Sequence, residues 1–106
     1  MGRLFLSLVV LLFSNVTYAQ SDDVLRHCKD ISLVAGKLMG YRQAGGSMAE
    51  IMEEVAKQDE VFANLGKIII KDAYSEPLWQ SEEAKQSSIV EFGNKYYLEC
   101  LDQMEE

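Results

Sequence analysis

Cys28 and Cys100 are the only cysteines of the chain. Two cysteines allow a single intramolecular pairing. In an oxidising compartment that bond closes a loop of roughly 70 residues, and constraining the unfolded chain to this extent is worth about 4 kcal/mol in the chain-entropy model. Small domains have about 5–15 kcal/mol of stability in all, so the fold is expected to bring the two positions together. Neither cysteine belongs to a Cys-x-x-Cys motif, which leaves the alternative of two reactive thiols without sequence support.

The start of the chain points to that compartment. Arg3 is followed by a predominantly apolar stretch from Leu4 to Phe13 and then by a short polar region ending Thr17-Tyr18-Ala19. These are the three parts of a secretory signal, with small residues one and three positions before the cut. Cleavage is expected after Ala19, leaving 20–106 as one domain that is periplasmic or secreted. An uncleaved anchor is the alternative, but the apolar stretch is about half of the roughly 20 residues that span a bilayer. No membrane association is expected after cleavage.

What remains is long enough for one modest core and too short for two. The formal charge is −7, and losing Arg3 with the signal takes it to −8. Nucleic acids and anionic lipids are bound through clustered Lys and Arg, so an acidic surface repels both. A basic protein partner is compatible with it.

Apolar spacing gives helices throughout, with no strand-like alternation. Asp22 and Asp23 can cap and charge a first helix whose stripe is Val24, Cys28, Ile31, Ala35 and Leu38. It should end near 42–44, where Gly45-Gly46 provides a left-handed stop. Ser47-Met48-Ala49-Glu50 has the form of a capping box for a second helix, with Met48, Ile51, Met52 and Val55 on its face. The pattern resumes at Val61, Phe62, Leu65, Ile68, Ile69 and Ala73. A continuous helix would put Asp59 on the core stripe, which favours a break before this third segment. Pro77 pushes Glu76 out of the helical region, and Ser81-Glu82-Glu83 starts a last helix carrying Ala84, Ile89, Phe92, Tyr96, Cys100, Leu101 and Met104. Both cysteines then face inward. The expected fold is an all-α bundle of three to four helices, its first and last helices antiparallel and joined by Cys28–Cys100.

So placed, the chain resembles a group of short exported bacterial proteins, some carried on prophages. The resemblance rests on Cys28, the turn Tyr41-Arg42-Gln43-Ala44-Gly45-Gly46-Ser47, the stretch Ile70-Lys71-Asp72-Ala73-Tyr74 leading to Pro77, the Ser81-Glu82-Glu83-Ala84 helix start, and Phe92 to Cys100. It implies a compact helical domain, periplasmic or secreted, and carries no activity or site residue with it.

No constellation for chemistry stands out. His27 is the only histidine, whereas zinc is usually held by three or four protein ligands. No Gly-x-Ser-x-Gly or Ser-x-x-Lys is present. Glu53/Glu54 and Glu82/Glu83 are sequence neighbours that diverge around a helix and read as solvated faces. Gly45-Gly46-Ser47 lacks the lysine and preceding strand of a phosphate loop. Met39, Met48, Met52 and Met104 lack the histidines of a Cu(I) site and read first as core filling. No catalytic residue, metal or cofactor is therefore expected. Tyr41, Arg42, Gln43, Tyr74 and Trp79 cluster near helix ends. Their first reading is a helix-end charge, a tight turn and aromatic seals; their second is partner contact. The expectation is a non-enzymatic exported domain of the cell envelope that binds another protein, an immunity or inhibitor role being one form. A self-associating structural envelope component and a hydrolytic enzyme are the alternatives.

Overall fold

A computed structural model describes the backbone of residues 2–104 and the side-chain surroundings of 22–104. These residues form four helices and no strand: α1 Gly2–Gln43, α2 Met48–Ala56, α3 Glu60–Ser75 and α4 Glu82–Met104. Among the described residues no helix is long and apolar enough to cross a membrane. The expected cut after Ala19 falls where side chains lie outside the described residues.

Each break has a local cause. At the end of α1, Gly46 N–H donates to Tyr41 O and Gly45 N–H to Arg42 O, both at 3.0 Å, with Gly45 at φ 85°. This is the Schellman arrangement, and its left-handed residue is the position glycine suits. Ser47 caps α2 by accepting from Glu50 N–H at 3.3 Å; no return bond from Glu50 forms among the described residues, so only the forward half of the expected capping box is made. Asp59 caps α3 by accepting from Phe62 N–H at 3.0 Å, which explains the break: its carboxylate ends one helix pattern by starting the next. Glu76, ahead of Pro77, is extended at φ −83°, ψ 152°. Ser81 accepts from Ala84 N–H at 3.1 Å, and Glu82 and Glu83 lie at the positive end of α4.

Two expectations need correction. Asp22 and Asp23 do not start α1: the backbone is already helical from Gly2, because no Gly or Pro interrupts residues 3–21. Both acids sit mid-helix on the surface, Asp23 pairing with Arg26. The stripe of α3 is also rotated. Val61 and Ile68 are 80 % and 61 % exposed, while Ala63, Gly66 and Ile70 join Ile69 and Ala73 inside. Gly66 lets α2 approach, since a Cβ there would press into Val55, and Ala63 and Ala73 are buried on the same side.

α1 packs most extensively against α4, and α3 lies against α2 and α1. The Cys28–Cys100 disulfide joins the second half of α1 to the last turns of α4, with Cα atoms 5.5 Å apart, as such a bond requires. Further along, Gly93 faces Ser32 and Ile89 faces Gly36 and Gly40, so the pair is antiparallel. The core is Ala35, Leu38, Met39, Val55, Ile69, Ile70, Ala73, Phe92 and Tyr96. Met39 is wholly buried, as a core methionine should be. Asp72 of α3 bridges to α4, accepting from Tyr96 Oη at 2.8 Å and from Lys95 Nζ at 2.7 Å.

Replacing both cysteines, Cys28→Ala with Cys100→Ala, should lower unfolding stability by about 4 kcal/mol in urea titrations; a loss under about 1 kcal/mol would mean that the cross-link constrains little. Burial first, and then the bond to Asp72, push the Tyr96 hydroxyl pKa well above its ordinary value, and the Asp72 bond raises that of Lys95. Their protonated forms are favoured by folding. Once pH exceeds the unfolded values the unfolded chain loses those protons first, so stability should fall as pH rises beyond about 10. Tyr96→Phe should flatten that alkaline fall in denaturant midpoints measured across pH; an unchanged slope would exclude Tyr96 as its source.

Candidate partner-binding site

Opposite the disulfide, the end of α1 meets the 76–81 segment that leads into α4. Gln43 is the organising residue. It is 1 % exposed, and an amide so deeply buried must find partners. Its Nε2 donates to Pro77 O at 2.8 Å, and its Oε1 accepts from Trp79 N–H at 3.0 Å. One side chain thereby holds a segment that has no helix of its own to satisfy it. Nε2 also approaches Met39 Sδ at 3.5 Å, which ties the clamp to the core.

Arg42 and Tyr74 extend the clamp. An Arg42 guanidinium nitrogen donates to Glu76 O at 3.0 Å, and the guanidinium lies over the Tyr74 ring, 5.0 Å from its centre. Tyr74 Oη donates to Gly46 O at 2.6 Å. Burial, with Tyr41 nearby, raises the Tyr74 pKa, and Arg42 opposes this in part. Arg42 Nε is buried without a partner, a local cost met by the contacts of the rest of the guanidinium. Tyr41 covers Gly46 so closely that a Cβ there would overlap the ring. The structure thus gathers Tyr41, Arg42, Gln43, Tyr74 and Trp79 at one end of the bundle. The first four are turned to internal bonds and packing. Trp79 alone combines a pinned backbone with a 42 % exposed residue surface.

Below Trp79 a groove of about 480 Å³ runs between the 76–81 segment and α4. Sequence reasoning placed Glu83 among solvated acids and Phe92 in the core, and did not single out Ser88 or Glu91. A signal was available: residues 83, 87, 91 and 95 recur every fourth position beside the 88, 92, 96 stripe and so form one polar edge of a helix. What periodicity does not reveal is the return of the 76–81 segment along that edge, which depends on Gln43. Elsewhere, His27 is exposed on α1, and Met48 and Met104 are 37 % and 46 % exposed. Among the described residues no group of three or more His, Cys, Asp or Glu is placed to hold a metal ion.

Gln43→Ala should leave Pro77 O and Trp79 N–H unpaired and lower stability by about 2–4 kcal/mol. It should also shift Trp79 emission in the folded state. A variant that keeps both wild-type stability and wild-type emission would show that the amide does not hold the segment. No protein-family model, curated protein or solved structure matches the chain.

Proposed function

We propose that this chain is an exported, non-enzymatic domain that binds another protein through the surface around Trp79. The observation that carries the reading is the pairing of a half-exposed tryptophan with a segment held by Gln43 and Arg42. Aromatic anchors contribute most to interfaces when their positions are set before binding, because less ordering entropy is lost on association. Tryptophan suits such a place, with its large apolar body and an N–H at one edge. The export reading is supported by the Cys28–Cys100 bond, which persists in oxidising compartments, by the signal-like residues 1–19, and by the resemblance to short exported bacterial proteins. An immunity or inhibitor role against an envelope-acting protein is the form that an acidic, preformed surface suits best.

One observation favours the second reading, self-association as a structural envelope component. Leu25 and Leu33 of α1 are 43 % and 54 % exposed, and both line a shallow groove with Tyr97 of α4. A cross-linking residue placed at either surface separates the two. Benzoylphenylalanine at position 79 of the oxidised protein, irradiated in an envelope fraction, should give one discrete product with another protein, and the same residue at position 33 should give none. Products from position 33 alone, with the mass of two copies of this chain, would overturn the first reading in favour of the second.

A further inference from the structure

The groove under Trp79 has a chemistry more specific than a general contact surface. Glu76, Glu83 and Glu91 line it, and none of them takes part in an ion pair among the described residues. The one cation in its lining, Lys95, is already bound to Asp72 at 2.7 Å. The three carboxylates thus outnumber the groove's one cation, which Asp72 already engages and which also feels Glu76. Trp79 and Phe92 supply aromatic surface beside them.

Ser88 adds a polar group to the same lining. It is only 9 % exposed, it lines the groove, and its hydroxyl makes no hydrogen bond among the described residues. A serine in a helix can satisfy its hydroxyl on the carbonyl four residues back, and Ser88 does not. Its Oγ stays open to the groove, since Arg42 Nε is the one buried side-chain polar atom without a partner among the described residues, and an open hydroxyl there can accept from an incoming group. A guest that suits carboxylates, aromatic rings and an accepting hydroxyl in one groove is a flat, multiply donating cation. Guanidinium has that shape: it forks to carboxylates and stacks on tryptophan, whereas an ammonium acts as a point charge.

We infer that the groove formed by Glu76, Trp79, Glu83, Ser88, Glu91 and Phe92 receives an arginine side chain from an extended segment of the protein partner. This rests on the protein-binding reading above and names the chemistry by which that surface chooses its partner. The guanidinium stacks on Trp79, forks to one of the carboxylates while the others add to the negative potential around it, and donates an N–H to Ser88 Oγ. The acidic lining disfavours anionic partners on the same ground.

Trp79 is the only tryptophan of the chain, so its fluorescence reports directly on the groove. The oxidised protein is titrated with the capped peptide acetyl-Gly-Arg-Gly-amide and with its citrulline counterpart, which keeps the shape and lacks the charge. The arginine peptide should give a saturable change at a midpoint at least about tenfold lower than citrulline, and added salt should raise that midpoint. Glu83→Gln with Glu91→Gln should weaken the arginine response by about fivefold or more in protein that is still folded, the unfolding midpoint falling only slightly through the loss of Glu83 at the start of α4. Ser88→Ala, which removes the accepting hydroxyl without altering charge, should weaken it by a smaller factor.

Equal responses to arginine and citrulline, no response to either, or an arginine response insensitive to Glu83 and Glu91 would each overturn the inference. A lysine peptide binding as well as the arginine peptide would overturn the guanidinium assignment. Cross-linking from position 79 is scored separately. A product there with no arginine preference would retain the protein-binding surface and reject its proposed guest, while loss of both would reject the surface itself.

Discussion

The antiparallel pairing of α1 with α4 is the contact on which the other elements depend, and it is fastened at both ends by different chemistry. At one end a covalent bond joins Cys28 to Cys100. At the other, the Gln43 amide reaches across to Pro77 and Trp79 just before α4 begins. Between them the helices come close where Gly36, Gly40 and Gly93 leave room. A small domain gains little from each buried side chain relative to the entropy of ordering its backbone. Fixing both ends of the longest contact limits the ways in which the remaining apolar residues can pack. α3 can then set Ile69, Ile70 and Ala73 against a surface that is already defined.

That division explains what the sequence disclosed. The disulfide was legible because both cysteines fall on apolar stripes of helices, and a three-to-four spacing is a strong guide to the inward face of a helix. Helix ends were legible too, since Gly45, Ser47, Pro77 and Ser81 act through local backbone chemistry. The break at Asp59 has a cause beyond the one periodicity suggests: the acid is unfit for the core, and its carboxylate caps Phe62 N–H. Weighing large apolar residues above small ones gives α3 the wrong phase. Val61 and Ile68 look like core, yet the close approach of α2 at Gly66 turns the face of Ala63, Gly66, Ile70 and Ala73 inward.

The candidate site was legible only in part, and the reason is tertiary. Tyr41, Arg42, Gln43, Tyr74 and Trp79 were singled out as a group, and they do converge. Their grouping in the sequence did not distinguish the side chains that hold the segment from the one that it presents. Gln43 is a polar residue in the last turn of a helix, where exposure is the ordinary expectation, and only the arrival of Pro77 and Trp79 makes burial tolerable. Ser88, Glu83 and Glu91 gain their meaning from the same arrival. A groove between a helix and an irregular segment leaves no periodic trace, because one of its walls has no period.

The two fastenings also differ in when they can close. A chain emerges from its amino end, and Trp79 follows Gln43 by 36 residues, whereas Cys100 follows Cys28 by 72. The shorter loop closes at lower entropic cost, and all of its residues are available before α4 has been made. The bundle is therefore suited to being joined from its loop end, with α4 laid down along α1 toward the waiting Cys28. Throughout that interval Cys28 is an unpaired thiol on a helix whose eventual neighbour does not yet exist. The distance between the cysteines thus sets a time as well as a loop, during which the Cys28 thiolate can attack a surrounding disulfide, joining one of its sulfurs and releasing the other as a thiol.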